Sequence, residues 1–328
     1  MQIISLKRVF VTFAAPVLTG MLFGAVPGAM AQEWPNRPVT LLVPYGPGAS
    51  NDTFTRAIAE VLSVELGQPF VVENRVGAGG FVGSNAVKNS EGDGYIFLEA
   101  PGAIVGLGPI GKMDLDVMAD FKPVALLATS PTAMAINASI PANNVQEFLA
   151  WAKENPDDAF YGFAGVGATS HLHAELFNHL TGAGLKGVNY KSSADAQADL
   201  VSGRVAAMFV SVASTKSQVD AGQVKLLAYA DDNYPEGSPK APTMAEAGVE
   251  GYDIAQLFWA MFAPKDTPDE IVEKMNAVLN DALAHPSVAD LMKRSGATPT
   301  PGEPSALTDI LKSELEVLAG FQTWVAVE

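Results

Sequence analysis

The sequence predicts an α/β chain folded as two sheet-and-helix units. Three observations carry that expectation. Short apolar runs alternate with stretches of helical period, Gly-rich turns stand where strand gives way to helix, and the alternation begins again near residue 129.

The first element is an address. Lys7 and Arg8 precede an apolar run from Val9 to about Val26, and Ala29-Met30-Ala31 follows. A positive start, an apolar middle and small residues at the cut describe a secretory signal removed after Ala31, residues 1–31. The alternative, an uncleaved anchor, fits less well, because Pro16, Gly20 and Gly24 interrupt the run. Removal takes two basic side chains and no acid, so the mature chain is more acidic still.

The first unit, about residues 32–128, begins with a buried strand at Arg37 to Pro44 and a turn at Tyr45 to Asp52. Phe54, Ile58, Val61, Leu62 and Leu66 then fall on one helical face, and Gly67 ends that helix. Pro69 to Asn74 is a strand, Gly77 to Gly80 a glycine loop, Ala86 and Val87 part of a helix, and Gly94 to Leu98 a strand. This β-α-β-α-β order predicts a parallel sheet.

The second unit, residues 129–230, follows the same logic. Strands are expected at Thr132 to Ile136, Phe160 to Ala164, Gly187 to Tyr190, Ala206 to Val210 and Val224 to Ala230, with Val124 to Thr129 just before them. Helices are expected at Val145 to Glu154, His171 to Leu180 and Ala194 to Ser202. The tail adds helices at Asp269 to Ala284, from Ser287, and from Ser305, with Ser305 as N-cap. It holds too little strand for a third sheet, so residues 231–328 are expected to return to the first unit. Two crossings, near Thr129 and Ala230, make a cleft and a hinge. No internal sequence repeat is evident.

Composition narrows the chemistry. The chain has 328 residues, 48% of them hydrophobic, with 36 acidic against 20 basic side chains and a formal charge of −16. That length and apolar content suit packed cores. The charge argues against nucleic acid. The absence of cysteine removes disulfides, thiolate metal sites and a cysteine nucleophile.

Nucleotide and hydrolase motifs are missing. There is no G-x-x-x-x-G-K-[ST], G-x-S-x-G, S-x-x-K or H-E-x-x-H, and Val82 stands where a dinucleotide fingerprint needs its third glycine. His171, Glu175 and Asn178 or His179 share a helical face, which is one route to a metal. The competing reading places His171 at a loop and His173 and His179 at the surface. No second ligand cluster supports a metal, and no cofactor is expected. Paired glycosidase carboxylates are not favoured, Trp259, Phe258 and Phe262 read as core, and Arg56 reads as a surface partner of Glu60.

Three glycine loops remain: Gly46 to Asp52, Gly77 to Gly83 and Gly165 to Ser170. Ordinary turn chemistry explains many such loops. Each also brings backbone close to a helix N-terminus, where unpaired N–H groups bind anions. Ser50 and Thr53 in one, and Thr169 and Ser170 in another, add hydroxyls.

The residues then resemble a family. Trp34-Pro35-Asn36-Arg37-Pro38, Val43 to Asp52, Gly67 to Gly80, Asp93-Gly94-Tyr95, Phe121 to Leu127, Ser170-His171-Leu172, Val188-Asn189-Tyr190-Lys191, Ala241 to Val249 and Phe262-Ala263-Pro264 are similar to the Bug-type substrate-binding proteins of tripartite tricarboxylate transporters. The similarity runs over the mature chain in one order. It implies a two-lobed, type II periplasmic-binding-protein-like fold, each lobe a twisted sheet flanked by helices with the ligand cleft between. Lobe 1 would be 32–128 plus 231–328 and lobe 2 would be 129–230. It implies a monomeric periplasmic protein that captures a small carboxylate and delivers it to membrane permease subunits.

The resemblance also implies the ligand contacts: Tyr45, Pro47, Gly48, Ala49, Ser50 and Asp52 on one loop, and Gly165, Gly167, Ala168, Thr169, Ser170 and His171 on the other. Tyr190 and Ser211 complete the set. Backbone N–H groups of Gly48 to Ser50 and Gly167 to Ser170 would do most of the gripping. The departures bear on the ligand. Val210 and Ser211 stand where many members carry an acid, which argues against an α-amino acid. Glu99-Ala100-Pro101-Gly102-Ala103 replaces a Thr/Asn-bearing loop, and Phe81 and Phe163 add apolar bulk, pointing to a carboxylate with a hydrophobic or aromatic body. A sensor subunit presenting the same ligand to a membrane kinase is a second reading. An exported hydrolase is a third, disfavoured by the missing motifs.

Overall fold

The computed structural model describes residues 34–190, 192–230, 239–252, 254 and 257–324, so the expected signal segment lies outside the described residues. Strand β1 (Val39–Val43) leads into helix α1 (Ser50–Leu66), β2 (Phe70–Asn74), α2 (Phe81–Lys88) and β3 (Ile96–Pro101). Two one-turn helices, α3 (Ile104–Leu107) and α4 (Val117–Asp120), precede the long strand β4 (Phe121–Ser130). Next come β5 (Thr132–Asn137), α5 (Val145–Glu154), β6 (Phe160–Phe163), α6 (Thr169–Thr181) and β7 (Lys186–Asn189). They are followed by α7 (Ser193–Ser202), β8 (Ala207–Ser211), α8 (Val212–Asp220) and β9 (Val224–Tyr229). The tail supplies β10 (Leu257–Pro264), α9 (Asp269–Ala284), α10 (Pro286–Arg294), β11 (Thr298–Pro299) and α11 (Pro304–Trp324).

These elements make two sheets of the same plan. The six-stranded sheet runs β11-β4-β10-β3-β1-β2 and the five-stranded sheet β7-β6-β8-β5-β9. In each, three strands are parallel (β2-β1-β3 and β7-β6-β8) and the fourth, β10 or β5, enters antiparallel. The parallel order expected from β-α-β-α-β holds for β1, β2 and β3. The antiparallel strand β10 was not among the expected strands, because Phe258, Trp259 and Phe262 read as core. Along β10, Phe258, Ala260 and Phe262 enter one core cluster while Trp259, Met261 and Ala263 enter another. That alternation is the period-two signature of a strand buried on both faces.

The two sheets share one core. Leu42 and Leu98 of the first sheet belong to the same buried cluster as Met134 and Phe209 of the second, together with Leu307, Leu311 and Leu318 of α11. Helix α11 packs on β4, α6 and α3, so the end of the chain spans both sheets. Each large apolar side chain buried there contributes ~1.5–3 kcal/mol against leaving it in water. The helix starts at Pro304, one residue ahead of the expected cap at Ser305, with proline in the first turn where its missing N–H costs nothing.

Chain passes between the sheets through Pro131, flanked by Ser130 and Thr132. Hydroxyls tie the crossing: Ser130 Oγ lies 2.6 Å from Ser211 Oγ and donates to the Gly296 carbonyl at 2.8 Å. Ala230 N–H donates to Thr132 O at 2.8 Å, so the end of the second sheet leaves beside its beginning. The return crossing at 231–238 lies outside the described residues.

Candidate functional site

β1 and β6 occupy equivalent places, each with its sequence neighbour on one side and the next strand on the other. That is the switch point where open α/β sheets bind ligands at the carboxyl ends of their strands. The loops leaving β1 and β6 are the two the sequence singled out.

The two loops prove to be copies of one turn. Gly46-Pro47-Gly48-Ala49-Ser50 matches Gly165-Val166-Gly167-Ala168-Thr169 in spacing. Gly48 and Gly167 take φ of 86° and 77°, a left-handed backbone that needs glycine. Ala49 and Ala168 are extended N-caps, with φ/ψ of −67°/160° and −69°/156°. Ala49 N–H donates to Gly46 O (3.4 Å) as Ala168 N–H does to Gly165 O (3.2 Å), and Thr53 N–H to Ala49 O as Leu172 N–H to Ala168 O. In the bare sequence a match this short carries no weight, and only the shared geometry makes it a repeat.

Each loop is latched by the residue four positions on. Gly48 N–H donates to Asp52 Oδ2 at 2.9 Å, and Gly167 N–H donates to His171 Nδ1 at 3.0 Å. Each is also braced by an asparagine that ends the neighbouring strand. Asn74, opposite Val43, donates to Tyr45 O (3.0 Å) and Asp52 Oδ1 (2.9 Å). Asn189, opposite Phe163, accepts from Gly165 N–H at 3.0 Å. Neither asparagine was among the expected site residues. The available signal was their shared place at the end of the strand after each loop.

This geometry refines the expected grip. The Gly48 and Gly167 N–H groups are bonded inside their own loops, and Asp52 and His171 hold them there. Asp52 is 3% exposed, and Arg56 reaches it at 2.8 Å, which corrects the expected pairing of Arg56 with Glu60. Burial pushes the Asp52 carboxyl up, but bonds from Arg56, Gly48 and Asn74 outweigh it and hold the group below its usual range. His171 is buried, which pulls its pKa down to about 4, and its ring stacks on Phe163 with centroids 4.1 Å apart. Phe163, only 5% exposed, is thereby turned into core rather than into the apolar lining the sequence suggested.

The donors without a partner among the described residues lie one step further, in the first helical turns: Ser50, Asn51 and Asp52 N–H on α1, and Thr169 and Ser170 N–H on α6. The Ser50, Thr169 and Ser170 hydroxyls likewise have none there. Tyr45 donates to Gly79 O at 3.1 Å, which draws the Gly77 loop onto the first loop. Pro47 is an exposed residue of that loop. Tyr190 donates to Asp199 Oδ2 at 2.9 Å, and Ser211 is held by Ser130.

The loops from the two sheets approach through α3. A Cβ placed on Gly106 would lie 3.0 Å from the Gly167 carbonyl oxygen, and one on Gly79 3.7 Å from Leu107. Exposed apolar side chains stand on these loops: Val76 (62%) and Val82 (47%) flank the Gly77 loop, and Val166 (54%) lies in the second. Beneath the first loop, Glu99 is fully buried, and Asn51 Nδ2 donates to both its oxygens at 2.9 and 3.1 Å. Burial pushes its pKa up to about 8, against the bond from Asn51, with Asp52 adding to the rise.

The histidine face offers no metal cage. Tyr161 bonds Glu175, Asn178 Nδ2 donates to Leu185 O, and among the described residues no cluster of three ligating side chains occurs. His173, expected at the surface, is fully buried against Tyr252, whose hydroxyl donates to the His173 carbonyl. A separate cavity of about 510 Å³ lies between Val105, Met113, Leu115 and Leu315, and its Lys88 is paired with Asp114 and Asp120.

Residues 54–316 match the family model described as the tripartite tricarboxylate transporter family receptor. Protein BugT of Bordetella pertussis is 33% identical over 294 residues, covering 88% of this chain and 90% of its own. The solved structure of R. palustris Rpa4515 with adipate is 33% identical, with a TM-score of 0.74, covering 88% of this chain and 96% of that one. MatC from Rhodopseudomonas palustris with bound malate is 28% identical, with a TM-score of 0.74, covering 87% of this chain and 99% of that one. The chain therefore belongs to the Bug-type tripartite tricarboxylate transporter receptor family, two-lobed solute-binding receptors rather than enzymes.

Proposed function

We propose that the protein captures a small carboxylate in a cleft between lobe 1 (residues 32–128 and 231–328) and lobe 2 (residues 129–230). It would act in the periplasm, as a monomer, and pass the ligand to the permease subunits of a tripartite transporter. The duplicated turn carries this reading. Each copy leaves helix N-terminal N–H groups and hydroxyls without partners among the described residues, Ser50 and Asn51 on one side and Thr169 and Ser170 on the other. Such ends bind anions without any lysine or arginine. Two of them suit the two ends of a dicarboxylate, and the relatives with adipate and malate support that class. Val76, Val82 and Val166 on the loops, with half-buried Phe81, favour an apolar body over a polar one. Ser211, paired with Ser130 where an acid would serve an amino group, disfavours an α-amino acid.

Titration calorimetry with adipate, malate, benzoate, aspartate and glutamate tests this. Adipate or benzoate is expected to bind tightest. Tight binding of aspartate or glutamate alone would overturn the ligand class. Ser170→Trp should abolish binding while the circular dichroism spectrum stays unchanged, and unaltered affinity in that variant would move the site elsewhere.

A further inference from the structure

Glu99 is the buried acid that the loop chemistry does not use. It lies near the end of β3, fully buried, and its carboxyl is held by the side-chain amide of Asn51. Asn51 is the second residue of α1, and its backbone N–H is one of the donors left open for an anion. One residue therefore touches Glu99 with its side chain and offers its main chain to the ligand. Among the described residues no lysine, arginine or histidine pairs with Glu99. The groups that face it are Asp52 on α1, an acid, and Tyr45 on the loop, a phenol that burial keeps protonated. Across the sheet its β10 neighbour is Met261, which carries no charge. Arg56, the nearest cation along α1, is taken up by Asp52 and Asn74.

An ionised Glu99 and a bound anion would thus draw on the same helix N-terminus and repel each other through a buried, poorly screened path. We propose that Glu99 is a specificity-determining residue which must be neutral before an anion seats on α1, so that capture takes up a proton. This rests on the carboxylate-binding reading above. Its burial, which moves ionisation to about pH 8, puts the switch within reach of ordinary conditions. Asp52 and His171, shifted below that window, and Tyr45, shifted above it, do not titrate there.

The test is calorimetric titration of adipate, malate and benzoate from pH 6.5 to 9.5 at fixed ionic strength, on wild type and Glu99→Gln. Wild-type affinity is expected to fall about tenfold or more between pH 7 and 9.5, with proton uptake approaching one per ligand when two buffers of different ionisation heat are compared. Glu99→Gln should bind across the range with little pH dependence and no uptake. A wild-type affinity that is flat to within about twofold, or a decline that Glu99→Gln shares, overturns the role of Glu99 while leaving carboxylate capture standing. No binding of any probe at any pH overturns both. The wild-type proton count decides the matter even if the variant does not fold.

Discussion

Replacing Asp52 with alanine tests the latch of the first loop. Its carboxylate takes four contacts: Gly48 N–H at 2.9 Å, Asn74 Nδ2 at 2.9 Å, and Arg56 through Nε at 3.1 Å and Nη2 at 2.8 Å. The Arg56 side chain is 51% exposed, so that pair contributes ~1 kcal/mol at most. The Gly48 and Asn74 groups lose a charged acceptor in a part-buried place, ~1–3 kcal/mol between them. The sum is a loss of ~3 kcal/mol. Because the folded Asp52 holds its pKa below the unfolded value, its contribution is present above the ordinary carboxylate range and is lost as pH falls through the depressed value. Urea unfolding followed by tryptophan fluorescence should therefore show a gap of ~3 kcal/mol at pH 7 that narrows as pH falls below the ordinary carboxylate range. Ligand affinity should fall with it, since Gly48 no longer fixes the loop. A gap under ~1 kcal/mol at pH 7, or one that does not narrow as the solution is acidified through the carboxylate range, would refute the latch.

Glu99→Gln should change stability in the opposite sense. A folded pKa of about 8 against an ordinary 4.5 makes wild type lose stability as pH rises from 4.5 to 8, ~4 kcal/mol by pH 7.5. The variant should be more stable at pH 7.5 and no more stable at pH 4 in chemical denaturation. Gly167→Ala forces alanine to φ 77° with its Cβ 3.1 Å from Ile110, so it should lose ~1–2 kcal/mol and weaken ligand binding in calorimetry, whereas Gly46→Ala, with open space around it, should do neither. Asn189→Ala should lower affinity by loosening Gly165 while the urea midpoint moves little, because Asn189 is exposed.

Much of the sheet-and-helix order was legible because period and punctuation report burial locally. The helix over Phe54 to Leu66 and the strand at Val39 to Val43 follow from their own residues. β10 was not, because a strand buried on both faces shows a continuous apolar run that resembles core of any kind, and its partners lie more than a hundred residues away. The two loops were legible as glycine and hydroxyl clusters at strand-to-helix turns. Their contacts were not: Gly48 and Gly167 N–H looked like ligand donors until Asp52 and His171 were seen to occupy them. Asn74 and Asn189 read as ordinary strand ends, since only the sheet register brings them beside the loops. Glu99 read as a loop departure. Its burial depends on Asn51, which the sequence places forty-eight positions away.

Native mass spectrometry of the protein purified from its native cells, gently enough to keep a bound ligand, tests carboxylate capture itself. The account predicts one carboxylate of small mass per chain, lost in Ser170→Trp and retained in a surface variant such as Lys312→Ala. A co-purifying amino acid, or a carboxylate still bound by Ser170→Trp, would contradict it.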